Sequence, residues 1–306
     1  MTKFKKKVLI TGASGFIGSV LTTRLEGLWY NVIPFSHNEQ FFNYKNYVVG
    51  DLLDKKQING LIGDVKPNVV FHLAADKFRC STGIDFLRNS LDVNFIGTLN
   101  LVEACLHAGS VEHFIFLGTC EEYGDSTIPY FENQRENPIS VYGFSKMVAT
   151  HVLQNMFRIN KFPITILRPS IAYGPGQGTD MFLAGLIKSL INNEYFDMSD
   201  GGQMRDFIYV DDIVDACLLT LGNNSAIGRV VNIGSGKSMP LREIAILTAK
   251  IVGDSSVDLI RFGSLPYRNG EIMNYSVDIS LARSMLGWSP RTSLEKGLKT
   301  TVESFI

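Results

Sequence analysis

The sequence of 306 residues has little cysteine, no surplus of either charge and no long apolar run. Its four cysteines, Cys80, Cys105, Cys120 and Cys217, lie far apart and without metal-ligand spacing. That argues against a disulfide framework or a metal site and reads as buried thiols in a reducing cytoplasm. Lys and Arg number 29 against 30 Asp and Glu, a net charge of −1. Without a basic field, nothing draws in nucleic acid or an anionic membrane; the lysines within 3–7 read as a solvated N-terminus. No apolar run reaches ~18 residues, so no membrane-spanning helix is expected. The first strand starts near residue 7, which leaves no room for a signal peptide. Linkers, repeats and low-complexity stretches are missing too. What remains is an ordinary globular composition, 45% hydrophobic and 19% charged, long enough for one large or two intimate domains with ample core.

What the chain does have begins at once. Lys7-Val-Leu-Ile-Thr11-Gly12-Ala-Ser-Gly15-Phe16-Ile17-Gly18 is a short apolar run followed by three glycines three apart. Phe16, Ile17, Val20, Leu21 and Leu25 then recur at helical spacing. A strand running into a bare-backbone turn that opens a helix lets phosphate groups approach the free N–H groups and the positive end of the helix dipole. The spacing alone fits an ordinary Gly-rich turn about equally well. Its place at the start, after Val-Leu-Ile and before an amphipathic helix, favours a dinucleotide loop.

Strand-like and helix-like segments then alternate. Strands are expected over 7–11, 31–35, 47–49, 69–74, 113–118 and 164–168, and helices over 16–27, 89–108 and 141–160. Such alternation with short turns predicts parallel strands crossed by helices, an α/β doubly wound sheet. Ligands bind beyond the carboxyl ends of such strands, which groups Gly12, Asp51, Ala74, Ala75, Thr119 and Ser170 around one crevice. After Ser170 the pattern loosens: helices are expected near 181–192, 211–221 and 241–252, strands at 207–210 and 230–233, a loop at 265–271 and two terminal helices. Residues 1–170 are expected to form a dinucleotide-binding domain, with 206–236 returning to it. Residues 171–205 and 237–306 are expected to form a smaller α/β substrate lobe.

Tyr142-Gly-Phe-Ser-Lys146 places a phenol and an ammonium one helical turn apart on one face. A nearby ammonium lowers a tyrosine pKa towards neutrality, so that the phenol can pass a proton to or from a hydroxyl or carbonyl. With Lys at about one residue in 20, the 11 tyrosines would meet this spacing by chance about half the time. The conjunction gives it weight. Thr119 closes the apolar run 114–117, where its hydroxyl can reach a reacting oxygen or simply close a turn.

Taken together, these residues resemble the extended short-chain dehydrogenase/reductases that act on nucleotide-activated sugars, a group with a Rossmann-type sheet, and the resemblance spans nearly the whole chain. It implies a cofactor loop at Thr11–Gly18, an adenine-side acid at Asp51-Leu52, a cofactor-lining segment at Leu73-Ala74-Ala75 and a supporting asparagine at Asn94. Thr119, Tyr142 and Lys146 match the catalytic Ser/Thr, Tyr and Lys, with Lys146 and Tyr142 also meeting the cofactor. Arg205, in Gly202-Gln-Met-Arg-Asp-Phe-Ile-Tyr-Val-Asp-Asp212, and Arg268, in Pro266-Tyr-Arg-Asn-Gly-Glu271, match residues that hold the nucleotide diphosphate. Read alone, either arginine would be a surface ion pair with Asp206, Asp212 or Glu271.

Departures narrow the chemistry. Relatives that dehydrate sugars carry Thr-Asp-Glu or Thr-Ser-Glu, whereas here the strand ends Thr119-Cys120-Glu121-Glu122-Tyr123-Gly124. Cys120 is a poor acid for a leaving hydroxyl; Glu121 remains as a catalytic candidate, and both are expected at the substrate. Ile171 replaces an asparagine common in epimerases. The resemblance therefore favours reduction of a 4-keto-6-deoxy sugar nucleotide at C4, then 4-epimerisation, then 4,6-dehydration. A non-catalytic dinucleotide-binding regulator would be marked by loss of Tyr142 or Lys146, and both are present. After the second strand the usual NAD-selecting aspartate is replaced by Ser36-His37-Asn38, which leans slightly towards NADP over NAD. Surplus apolar positions (Phe95, Ile96, Leu99 and Leu101; Met147, Val148, Val152, Met156 and Phe157) point to a second buried face on two helices and, with the resemblance, to a homodimer. The expected partner is a nucleotide-sugar substrate.

Overall fold

The computed structural model describes residues 6–37, 46–76 and 83–306. The chain divides into two compact units. The first comprises Met1–Gly124, Arg135–Arg168 and Cys217–Val231, and the second Asp125–Gln134, Pro169–Ala216 and Asn232–Ile306.

The first unit is built on a seven-stranded sheet. Its strands are β1 (Lys7–Thr11), β2 (Asn31–Ser36), β3 (Val48–Val49), β4 (Val69–His72), β5 (His113–Leu117), β6 (Ile164–Pro169) and Arg229–Ile233. Across the sheet they run Arg229–Ile233, β6, β5, β4, β1, β2, β3. Every pair from β6 to β3 is parallel. The strands read as continuous apolar runs because helices cover both faces of such a sheet; Phe114, Ile115 and Phe116 are all buried. The chain leaves β1 for β2 and β3, then returns to β4 on the other side of β1. This reversal makes a switch point at the carboxyl end of β1, where Gly12 begins the glycine loop.

Helices α1 (Phe16–Gly27), α2 (Lys55–Val65), α3 (Ile84–Leu91), α4 (Gly97–Ala108) and α5 (Val141–Asn160) complete the unit. Ile58, Leu101 and Leu153 carry the helical side of the core against Leu9, Phe35 and Ile164. Two features depart from the sequence reading. The expected helix 89–108 begins earlier, at Ile84, and is interrupted by a π-helical turn at Asp92–Ile96 between α3 and α4. Helix α2 was not expected, because Gly60 and Gly63 depress its propensity. It forms because Ile58 and Ile62, one turn apart, are buried and because Asp54 caps it, accepting from the Gln57 N–H at 3.0 Å.

The second unit has only two-stranded sheets among its described residues: Ile171–Tyr173 with Phe207–Tyr209, Met204–Arg205 with Met239–Pro240, and Phe196–Met198 with Ile260–Phe262. Its core gathers Leu183, Leu186, Phe207, Ile244, Ala249 and Leu298. Asp212, buried, ties down the segment 288–292: its carboxylate accepts from the Arg291 and Thr292 N–H groups at 2.9 and 3.1 Å, and its carbonyl from Trp288 Nε1 at 2.9 Å. Among the described residues, no helix is long and apolar enough to cross a membrane, and no group of His, Cys, Asp and Glu could hold a metal ion.

Trp288 is only 2% exposed. Trp288→Ala should therefore lower stability by about 3–5 kcal/mol, read as a drop in the denaturant midpoint. A loss below about 1 kcal/mol would contradict this packing.

Candidate active site

The glycine loop is closed against the end of β4. Gly12 has φ +70°, and a Cβ there would lie 2.6 Å from Ala74 N. A Cβ on Gly18 would collide with the Gly12 carbonyl oxygen. The Gly15 N–H donates to the same oxygen at 2.9 Å. Phe16 and Ile17 start α1 half-buried. The structure thus keeps bare backbone at a helix N-terminus, a cradle that suits a diphosphate.

Behind the loop runs a hydrogen-bonded chain through a buried histidine. Thr11 Oγ1 lies 2.6 Å from His72 Nδ1, and His72 Nε2 lies 2.8 Å from Thr98 Oγ1. The Thr98 hydroxyl donates to the Asn94 carbonyl at 2.7 Å, so it accepts from Nε2–H, and Nδ1 accepts from Thr11. Thr11 Oγ1 in turn accepts from the Ala74 N–H at 3.3 Å. Burial, and then the nearby Lys146 charge, push His72 down to about 3, so it stays neutral. Asn94 sits in the π-helical turn, a distortion frequent at functional sites. Its amide accepts from the Asp76 N–H at 2.7 Å and donates to Ser145 Oγ at 2.8 Å, and Ser145 donates to the Tyr142 carbonyl at 2.9 Å. The loop, the bulge and the Tyr142 helix are thereby one connected structure.

Tyr142 and Lys146 lie in the first turns of α5, capped by Ser140, whose Oγ accepts from the Gly143 N–H at 2.9 Å. Lys146 is 1% exposed. Its ammonium stacks on the Phe116 ring at 3.9 Å from the centroid and makes no hydrogen bond among the described residues. Burial pushes Lys146 down to about 7, against the upward pull of the Glu122 carboxylate. Thr119 lies two residues beyond β5 and caps the short 3-10 turn Cys120–Glu122, its Oγ1 accepting from the Glu121 N–H at 3.2 Å. That leaves the hydroxyl proton of Thr119 without an acceptor among the described residues.

The remaining sequence candidates fall in varied places. Cys120, expected at the substrate, is fully buried, and its thiol donates to the Arg168 carbonyl at 3.0 Å. Glu121 is half-buried and accepts from Ser140 Oγ at 3.1 Å. Asp51 accepts from the Leu53 N–H at 2.9 Å, and Leu52 is buried, with its carbonyl accepting from Asn100 at 2.9 Å. Leu73, Ala74 and Ala75 follow β4, half-buried. Ser36 hydrogen-bonds Ser14 of the glycine loop, and His37 is exposed. Asn38 and Cys80 lie outside the described residues. In the second unit, Arg205 pairs with Glu271 and donates to the Ile272 carbonyl at 2.7 Å. Arg268 is exposed; its carbonyl accepts from the Glu271 N–H at 3.0 Å, and its guanidinium makes no hydrogen bond or ion pair among the described residues.

Sequence reasoning missed a buried ion cluster in the first unit. Arg168 Nε donates to Glu122 Oε2 at 2.9 Å, and its Nη2 reaches Glu136 Oε1 at 2.7 Å. Glu136 also faces His151 Nε2 at 3.3 Å. An arginine ending the apolar run Ile164-Thr-Ile-Leu was the available signal, since buried arginines are paired.

Comparison with known proteins decides the family. Residues 8–234 match the model described as the NAD dependent epimerase/dehydratase family. The chain belongs to that family. A UDP-glucose 4-epimerase of Mycolicibacterium smegmatis is 32% identical, with 98% of each chain covered. A dTDP-D-glucose 4,6-dehydratase of Mus musculus is 31% identical over 98% of this chain and 88% of its own. The solved UDP-glucuronic acid 4-epimerase from Bacillus cereus, in complex with UDP-glucuronic acid and NAD, superposes with a TM-score of 0.87 at 31% identity, covering 98% of each chain. The relatives are nucleotide-sugar epimerases and dehydratases, as the sequence resemblance implied, and this chain is an enzyme of their group.

The neutral, buried His72 sets a pH dependence. Its pKa is lower folded than unfolded, so its contribution is complete above about 6.5 and is lost as pH falls towards 3. His72→Gln removes that titration. Wild type should therefore lose its stability advantage over the variant, on the order of 3 kcal/mol, between pH 6.5 and 4 in melting experiments. Parallel curves would contradict the assignment.

Proposed function

We propose that this enzyme is a nucleotide-sugar 4-epimerase that oxidises and re-reduces C4 of a nucleoside-diphosphate hexose. The observation that carries the reading is a pair of unspent donors. The Lys146 ammonium lies over an aromatic face and makes no hydrogen bond among the described residues, and the Thr119 hydroxyl proton has no acceptor among them either, one element away from the Tyr142 helix. A site that keeps donors unspent suits ligand oxygens.

The glycine cradle fits a dinucleotide, which supplies the hydride acceptor and donor when bound. Gly12, Gly15 and Gly18 would admit its diphosphate, and Lys146 would hold a ribose hydroxyl. We take NAD as the resident form, as in the solved relative. Ser36 and His37 bring no carboxylate against a 2′-phosphate, so NADP is tolerated as well. Thr119 would orient the C4 oxygen. Tyr142, with its pKa lowered by Lys146, would take the hydroxyl proton as C4 is oxidised and return it on reduction. Within the second unit, Arg205 and Arg268 are the candidates for the diphosphate of the nucleotide-sugar substrate, Arg205 exchanging Glu271 for phosphate oxygens.

Elimination of water fits less well, because Cys120 is buried against the Arg168 carbonyl and Glu121 is engaged by Ser140. Reduction of a 4-keto-6-deoxy sugar would use the same three residues, and the Glu121-Glu122-Tyr123-Gly124 ending favours it as the second reading. Ile96, Phe144 and Ile159 remain exposed in the first unit, at 38, 37 and 67%. We propose that they lie at a homodimer interface formed by these helices.

Tyr142→Phe should retain dinucleotide binding and lose about 10²–10⁴-fold in turnover, measured as inversion at C4 of UDP-glucose by product NMR. Unchanged turnover would remove Tyr142 from the chemistry. Stoichiometric consumption of NADH or NADPH with a 4-keto-6-deoxy sugar nucleotide, without inversion of the hexose, would replace the epimerase reading with the reductase one.

A further inference from the structure

The Glu122 carboxylate lies directly beneath the candidate site, yet nothing in the proposed chemistry uses it. It is fully buried. Its Oε1 accepts the Thr119 N–H at 2.9 Å, while its Oε2 accepts from Arg168 Nε at 2.9 Å and lies 2.6 Å from Nη2. Residue 118 is glycine for the same reason: a Cβ there would stand 2.6 Å from Glu122 Oε1. One carboxylate thus pins the residue whose hydroxyl faces the reacting oxygen, and it also holds the end of β6.

The cluster around it is balanced. Glu122 and Glu136 carry two negative charges; Arg168 and Lys146 carry two positive ones. Arg168 also stacks on Tyr123 at 4.6 Å. Besides these, Cys120 and Glu121 share the turn of Glu122, His151 on α5 faces Glu136, and the neutral His72 on β4 lies in the field of Lys146. Arg168 is held by both carboxylates, whereas Lys146 has no hydrogen-bonded carboxylate of its own. Lys146 and Glu122 are both fully buried in the first unit, and the Glu122 carboxylate favours the Lys146 ammonium against the effect of burial.

We infer that Glu122 is a positioning residue for the reaction: its carboxylate fixes the Thr119 backbone and is the counter-charge of the buried Lys146 ammonium. Burying an ammonium favours its neutral form, and a carboxylate nearby opposes that. With that charge removed, Lys146 would lose its proton below the value of about 7 that it has beside Glu122, and would be largely neutral at physiological pH. It would then no longer favour the Tyr142 phenolate. The inference rests on the proposed C4 chemistry for its kinetic consequence, but not for its electrostatic one.

The test uses the purified full-length enzyme, Glu122→Gln and Glu122→Asp. Side-chain NMR of lysine-labelled protein follows the Lys146 titration, assigned by loss of the signal in Lys146→Arg, and needs no substrate. Turnover of UDP-glucose is followed separately. In Glu122→Gln the Lys146 midpoint should fall by about one unit or more. Its kcat should drop about 10- to 100-fold, with KM within about threefold. Glu122→Asp keeps the charge but shortens the reach, so it should restore the Lys146 midpoint while kcat stays low. An unmoved midpoint in folded Glu122→Gln, or an equal shift in both variants, would overturn the inference. If Glu122→Gln does not fold, Glu122→Asp decides: a retained midpoint with reduced kcat supports the inference, and wild-type kcat overturns it. A wild type that turns over no nucleotide hexose would sink the C4 reading and leave the Lys146 titration to decide the role of Glu122 on its own.

Discussion

A lysine ammonium buried beside the Phe116 ring is the constraint around which the first unit is organised. Taking such a charge out of water costs several kcal/mol unless the surroundings answer it. Here the answer comes from Glu122, which shares Arg168, on β6, with Glu136. These positions are accordingly not free to vary separately. Gly118 must lack a side chain to admit the Glu122 carboxylate. Arg168 must be long and forked to reach both acids. Thr119 must cap the turn that brings Glu122 back under its own N–H. The same arrangement leaves the donors of Thr119 and Lys146 unspent among the described residues, which suits a site for oxygen chemistry.

The glycine loop is joined to this centre by neutral hydrogen bonds rather than charge. The chain Thr11, His72, Thr98, Asn94, Ser145 passes from the end of β1 through β4 and the π-helical turn to α5. The Thr98 hydroxyl donates to the Asn94 carbonyl and so accepts from His72, which specifies a single tautomer of the ring. Such networks rigidify what they connect when every member is satisfied. The register between the glycine loop and Tyr142 is therefore set by a side-chain relay that starts at Thr11, at the head of the loop, and ends at the Tyr142 carbonyl.

Much of this was legible in the sequence, for identifiable reasons. The β1 strand, α1, α5 and the helix Leu241–Val252 have unbroken periodicity and clear ends, and the structure has them at the expected residues. Helix α2 was hidden by its two glycines, because tertiary burial of Ile58 and Ile62 overrides their weak propensity. The π-helical turn was hidden because one inserted residue leaves the apolar pattern nearly intact. The Tyr142–Lys146 spacing was visible, but the charges that tune it were not. Glu122, Glu136 and Arg168 are 14 to 46 positions apart, as 122, 136 and 168 show, and only the strand order brings them together. Cys120 illustrates the converse. Its position beside Thr119 reads as a site residue, yet the turn directs its thiol into the core.

The most direct test of the account uses UDP-glucose carrying deuterium at C4. The account predicts that the label stays at C4 of the inverted product, with no net change in dinucleotide oxidation state and no solvent hydrogen at C5. Label transferred to C6 of a 4-keto-6-deoxy product, with solvent hydrogen at C5, would contradict it and show that the site eliminates water after all.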